Sequence, residues 1–277
     1  MGFADRMRRT GVSPNRIVAF FALAFAISWS AAFAVAAPRL LRHDQMTQLI
    51  GILMFPAMLL GPSLSGLTFT ASTAGRAGLR DLWTRMTRWR FSARWHAPLL
   101  LPPVLILSIL LALKTWVSPA YTANFFLLGV LFGVPAGFLE EIGWTGFAFE
   151  TMRARGNAVA AAVLLGLLWV MWHIPVINYL GTVTPHGSHW LPFFAVFGLA
   201  MTAMRVLICW MYVNTRSVLL AQLMHVISTG SLVIFSLPHV NSRQEVLWYG
   251  LYGVALWIVV SVVYAVFGRQ LCRRAAS

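Results

Sequence analysis

Acidic side chains are the scarcest chemistry in this chain: seven Asp and Glu stand against 21 Lys and Arg in 277 residues. Charged residues of both signs make up 10% of the chain and hydrophobic residues 59%. A soluble domain of this length carries far more charge, so that class is excluded. Two cysteines, Cys209 and Cys272, supply neither a disulfide framework nor a metal-ligand spacing. GxSxG and HExxH are absent, and no apolar run contains an aspartate, which leaves no serine-protease, zincin or aspartyl-membrane-protease arrangement. No internal repeat, low-complexity segment or linker divides the chain, which reads as one domain over 1–277.

What is abundant is apolar run length. Stretches of about twenty residues recur, each long enough to cross a bilayer. Eight are apparent, at roughly 17–37, 47–70, 97–113, 123–149, 158–177, 190–212, 218–237 and 246–267. They are continuous rather than alternating, which argues against a β-barrel. The expected fold is an all-α membrane protein, a polytopic bundle of about eight transmembrane helices in the cell membrane. Pro102-Pro103 in the third run predicts a kink or tilt there. Arg6, Arg8, Arg9 and Arg16, followed by an apolar stretch and Ala34-Val35-Ala36, resemble a signal peptide. The stretch exceeds a usual signal core and more spans follow, so it reads as a first membrane helix.

The net charge of +14 raises the question of nucleic acid. The arginines, however, cluster in alternate connectors: the N-terminus, 71–96, 150–157, 213–217 and the C-terminus with Arg269, Arg273 and Arg274. The intervening connectors are poorer in them, and 178–189 has none. That alternation is a topology signal and predicts both termini on the cytoplasmic side, with a lipid bilayer and no nucleic acid as partner. Connector 71–96 interleaves Trp83, Trp89 and Trp95 with its arginines, which predicts a helix lying on the anionic inner leaflet.

Ionisable groups inside spans are costly and mark function. There are five: Glu140 and Glu141 in the fourth run, His173 in the fifth, Arg205 in the sixth and His225 in the seventh. His43, His96, His186, His189 and His239 fall in connectors. Runs four and five meet at Gly156-Asn157, so residues equidistant from that turn sit at equal height, which levels Glu140 with His173. Runs six and seven meet at Asn214-Thr215-Arg216, which levels Arg205 with His225. The first pair lies about 25 Å from its turn and the second about 15 Å, so the pairs meet if the first hairpin projects about 10 Å further. Gly133 and Gly137 precede Glu141 at steps of four, a stripe along which a partner helix can approach closely.

A carboxylate taken out of water beside a second one suits general-base work near neutral pH. A histidine across the cavity can hold the attacking water, and another, with a hydroxyl neighbour, can donate to an oxyanion. The chemistry is peptide hydrolysis without a covalent intermediate. Zinc held by Glu140, His173 and His225 is the alternative, with ligands drawn from three helices. Arg205 alone has two readings, a site role or snorkelling to the inner interface.

EEIGWTGFAFE at 140–150, LLWVMWHIP at 167–175 and LLAQLMHVIST at 219–229 resemble the three motifs of the CPBP family, the CAAX proteases and bacteriocin-processing enzymes. The resemblance covers residues 120–240, a CPBP-like catalytic core. It implies an eight-helix intramembrane endopeptidase with a cavity open to cytoplasm and lipid, acting on a peptide or protein that in some members is prenylated. It implies Glu140 as the base activating water, Glu141 as its support, His173 as the water holder and His225 as the oxyanion stabiliser, with a metal in some descriptions of the family. Two positions depart from the family pattern: Thr145 stands where EExxxR has Arg, and Thr229 where HxxxN or HxxxD has an amide or acid. Arg205, predicted level with His225, is then expected to supply the missing positive charge, within about 8 Å of a glutamate where short-range pairing holds. The alternatives are a non-catalytic CPBP relative in peptide binding or bacteriocin immunity, and a small proton-relaying transporter, against which the shortage of polar residues and of inverted repeats counts.

Overall fold

The structure, a computed structural model, describes residues 14–272, and no strand occurs among them. Arg6, Arg8, Arg9, Arg273 and Arg274 lie outside the described residues. All eight apolar runs are helical. Helix α1 spans Pro14–Leu41, α2 Gln48–Met58, α3 Leu60–Met86, α4 Leu101–Trp116, α5 Val130–Gly143, α6 Ala158–Trp172, α7 Trp190–Thr215, α8 Val218–Ile234 and α9 Ser242–Phe267. Six helical stretches among the described residues are long and apolar enough to cross a membrane, and α6 and α8 are shorter. The chain is therefore an all-α, multi-pass membrane protein.

Lipid-facing helices need bury only a narrow stripe, and α1 does so with Phe20, Ala24, Ser28, Ala32 and Ala36, one residue per turn. Small residues set how closely helices approach. A Cβ at Gly133 or Gly137 would stand 2.5 Å from the Val226 carbonyl oxygen or 2.6 Å from that of Gln222, so α5 lies directly on the backbone of α8. On its other side α5 meets α3, where Gly66 faces Gly143 and the Ser63 hydroxyl donates to the Leu139 carbonyl at 2.6 Å. Helix α7 is sandwiched between α6 and α9. The polar residues of α5, α6, α7 and α8 thus converge on the middle of the bundle.

Several expectations need correction. Pro102 and Pro103 do not kink a span; they sit in the first turn of α4, where a missing N–H costs nothing, after a 3-10 stretch Ala93–Leu100. Connector 71–96 is not one interfacial helix. Helix α3 runs on to Met86 with a break at Gly75 (φ 58°, ψ −152°), a conformation glycine adopts without strain. Trp83 and Trp89 are exposed, but Trp95 is buried with its ring 5.0 Å from that of Trp210. Arg85 is buried too, donating to Asp81, to the Gly146 carbonyl and to the Tyr212 hydroxyl. A charge that reads as a topology signal here fastens α3 to the end of α5.

Candidate active site

Helix α5 does not end at Gly143; it continues as a π-helical turn, Trp144–Phe149, and a last α turn, Glu150–Arg153. A π turn widens the helix and re-aims the side chains around it. Asn157 caps α6 by accepting from the Val159 and Ala160 amides, and Ser217 caps α8 by accepting from Leu220. Those two caps close the hairpins that the Gly156-Asn157 and Thr215-Arg216 turns predict. Glu150 reaches Arg216 at 2.7 Å, so residues past Glu150 carry the first hairpin beyond the second, by about 9 Å at helical rise.

The two adjacent glutamates are both fully buried and differ in their partners. Glu141 is saturated. Arg205 Nη1 lies 2.7 Å and 2.8 Å from its two oxygens, His225 Nδ1 is 2.7 Å from Oε1, and the Thr145 hydroxyl donates to Oε2. Arg205 is fully buried, which removes the snorkelling reading, and its guanidinium carbon stands 4.2 Å from the centre of the Trp169 ring. The hydroxyl and guanidinium that replace the expected arginine at 145 thus act on one carboxylate, from two different helices.

Glu140 has only neutral donors. The indole N–H groups of Trp144 and Trp169 donate to its Oε2 at 3.0 Å and 2.7 Å, and Oε1 accepts from no protein donor. Both tryptophans escaped the sequence reading. Their signal was spacing: Trp144 is four residues after Glu140 and Trp169 four before His173, one helical turn in each case. Around these groups lies a cavity of about 160 Å³, lined at this end by Glu140, Trp169, His173, His225 and Thr229.

Proton positions on the histidines follow from their partners. His173 Nδ1 lies 2.8 Å from the Trp169 carbonyl oxygen, which can only accept, so Nδ1 carries the proton and Nε2 remains an acceptor. Its ring is packed among Trp172, Trp169, Phe197 and Phe55. His225 Nδ1 likewise donates to Glu141, which leaves Nε2 for the cavity side. Among the described residues no group of three or more His, Cys, Asp or Glu side chains is arranged to hold a metal ion.

Residues 122–230 match the model of the type II CAAX prenyl endopeptidase Rce1-like family. The Rce1-like segment contains Glu140, Glu141, Thr145, His173, Arg205, His225 and Thr229. A similar protein is CAAX prenyl protease 2 of Methanococcus maripaludis, 33% identical over 141 residues, which are 46% of this chain and 51% of the relative. The chain therefore spans about half the length of the curated relative it matches. Phe55, which faces His173, and Arg85, which holds the Gly146 carbonyl, come from outside the Rce1-like segment.

Proposed function

We propose that this protein is an intramembrane endopeptidase of the CAAX protease type that hydrolyses a peptide bond with a water activated by Glu140. The observation that carries the reading is the asymmetry between the neighbouring carboxylates. Every oxygen of Glu141 is engaged by charged or hydroxyl donors, whereas Glu140, which lines the cavity, leaves Oε1 without a donor. A carboxylate held on one oxygen and open on the other can take a proton.

In this mechanism water sits between Glu140 Oε1 and His173 Nε2. Glu140 takes its proton as the oxygen adds to the carbonyl carbon. The resulting oxyanion is met by His225 Nε2–H and the Thr229 hydroxyl. His225 offers that donor with both ring nitrogens protonated, since Nδ1–H is committed to Glu141. The C–N bond then breaks while Glu140 returns its proton to the leaving amine. Arg205 acts through Glu141, holding it against His225. The substrate proposed is a peptide with an apolar C-terminal segment, by analogy with the relative's printed name a lipid-modified CAAX sequence. A metal has no part in these steps.

The test compares wild type with Glu140→Gln in liposomes on fluorogenic peptides carrying or lacking a prenylated cysteine, each with and without a zinc chelator. Cleavage that the variant loses and the chelator spares supports the reading. Cleavage abolished by chelator would make Glu140, His173 and His225 ligands instead. Cleavage retained by Glu140→Gln would overturn it.

A further inference from the structure

The cavity continues from the Glu140 end to a far wall made by Gly181, Thr182, Glu245, Trp248 and Tyr249. Connector 178–189 and Glu245 read as topology segments in the sequence; the structure gives them another place. Glu245, in the first turn of α9, is buried, and its carboxylate accepts from the amides of Thr182 at 2.5 Å and Val183 at 3.1 Å. His186 Nε2 lies 3.2 Å from the same carboxylate, and its ring stacks on Phe193 at 3.8 Å. The Thr182 hydroxyl in turn accepts from the Leu237 amide at 3.2 Å, tying the segment to the exit of α8. Gly181 holds φ 81°, where a Cβ would be strained and would collide with Glu245 Oε1. Residues 180–186 are therefore a strap held chiefly by the Glu245 carboxylate, with Leu180, Gly181 and Thr182 against the cavity. From His225 to Phe235 the chain climbs about 15 Å at helical rise, so the strap stands well away from the reacting groups.

We propose that Glu245 is the size determinant of the substrate pocket: by pinning residues 180–186 it closes the cavity to the volume of one apolar side chain. A volume of about 160 Å³ is close to the roughly 150 Å³ of an apolar cavity that holds benzene. That suits one leucine- or phenylalanine-sized residue, so any isoprenoid on the substrate would lie outside this cavity. The proposal rests on the reading of this cavity as the peptide site. Releasing the strap by Glu245→Ala admits larger side chains while Glu140, His173 and His225 stay in place.

Two readouts test it without requiring turnover. The first is amide exchange over 180–186 in detergent, expected to rise at least tenfold in Glu245→Ala and in Gly181→Ala. The second is affinity for peptides bearing Ala, Leu, Phe or Trp at one position, measured on a Glu140→Gln background. With Glu245 present, affinity should rise to Leu or Phe and fall for Trp; with Glu245→Ala the fall at Trp should disappear. Glu245→Gln, which keeps one acceptor, should restore part of the step. Unchanged exchange, or a ladder with no size step in either background, overturns the proposal. A size step in a wild-type protein that cleaves nothing would instead retire the hydrolase reading alone.

Discussion

Two buried polar clusters lie along the same bundle, and they handle their carboxylates in opposite ways. At the end of α5, Glu150 receives Arg153 at 2.9 Å on Oε1, and Arg216 at 2.7 Å and the Tyr212 hydroxyl at 2.5 Å on Oε2. Arg85 joins by donating to that hydroxyl at 2.9 Å. Every acceptor is met, mostly by charge, as a structural carboxylate requires. About two and a half turns deeper into the hairpin, Glu141 is treated the same way, but its neighbour Glu140 is given two indoles and one oxygen without a donor. A carboxylate that only holds helices together is matched by arginine. Glu140, the base in the proposed reaction, is instead steadied by neutral indole donors and keeps one oxygen without a donor.

The largest effect expected from breaking this contrast falls on turnover. Glu140→Gln preserves shape and the indole contact but cannot accept a proton, and cleavage should drop by roughly 10²–10⁴-fold. Helix content and thermal midpoint should stay near wild type. Because the base acts ionised, wild-type cleavage should also fall as the medium is acidified; a flat profile would move the base elsewhere. Arg205→Met strikes the saturated neighbour. It leaves Glu141 buried without its cation, a loss of about 3–5 kcal/mol that should appear as a lowered thermal midpoint together with lost cleavage. Arg205→Lys should rescue only part, since an ammonium can reach the carboxylate as the single Nη1 does but loses the planar stacking on Trp169. The double variant Glu141→Gln/Arg205→Met should recover stability relative to Arg205→Met, though not activity.

How much of this contrast was legible in the sequence depends on scarcity. Glu140, Glu141, His173, Arg205 and His225 stood out because ionisable groups in apolar runs are few, and turn symmetry was enough to set Arg205 and His225 at one height. The structure puts both on Glu141 Oε1. Run length made the helices visible, but not that α3 passes Gly75 and ends with Arg85 buried. Membrane proteins are rich in tryptophan at the ends of their spans, so the indoles on Glu140 carried no signal except spacing. Arg85, Arg153 and Arg216 read as topology charges, and Glu245 as connector, because their partners lie on other elements. Which charge meets which is a product of packing, and no local pattern encodes it.

A smaller effect separates the indole contacts from the charge pairs. Trp169→Phe keeps the ring under Arg205 and beside His225 but removes the 2.7 Å donor to Glu140. The lost hydrogen bond to a buried charged group is worth about 1.5–3 kcal/mol. Much of that should appear in kcat, since the carboxylate loses its fixed orientation, and little in KM. An equal loss in KM would mean that Trp169 serves as cavity wall rather than as holder of the base.

The smallest effect belongs to the rim of the structural cluster. The Arg216 side chain is 31% exposed, Glu150 keeps Arg153 and Tyr212 without it, and the left-handed φ of 56° at 216 is a conformation that glycine holds more easily. Arg216→Gly therefore removes one partly solvated pair, worth about 0–1 kcal/mol, while relieving the turn. Thermal stability should move little and cleavage not at all. The same reasoning makes Tyr212→Phe the sharper probe of that cluster, because it cuts two buried contacts, the donation to Glu150 and the acceptance from Arg85. If Arg216→Gly instead cost as much as Arg205→Met, the two clusters would be equally desolvated, and the contrast between the Glu150 cluster and the Glu140–Glu141 pair would fail.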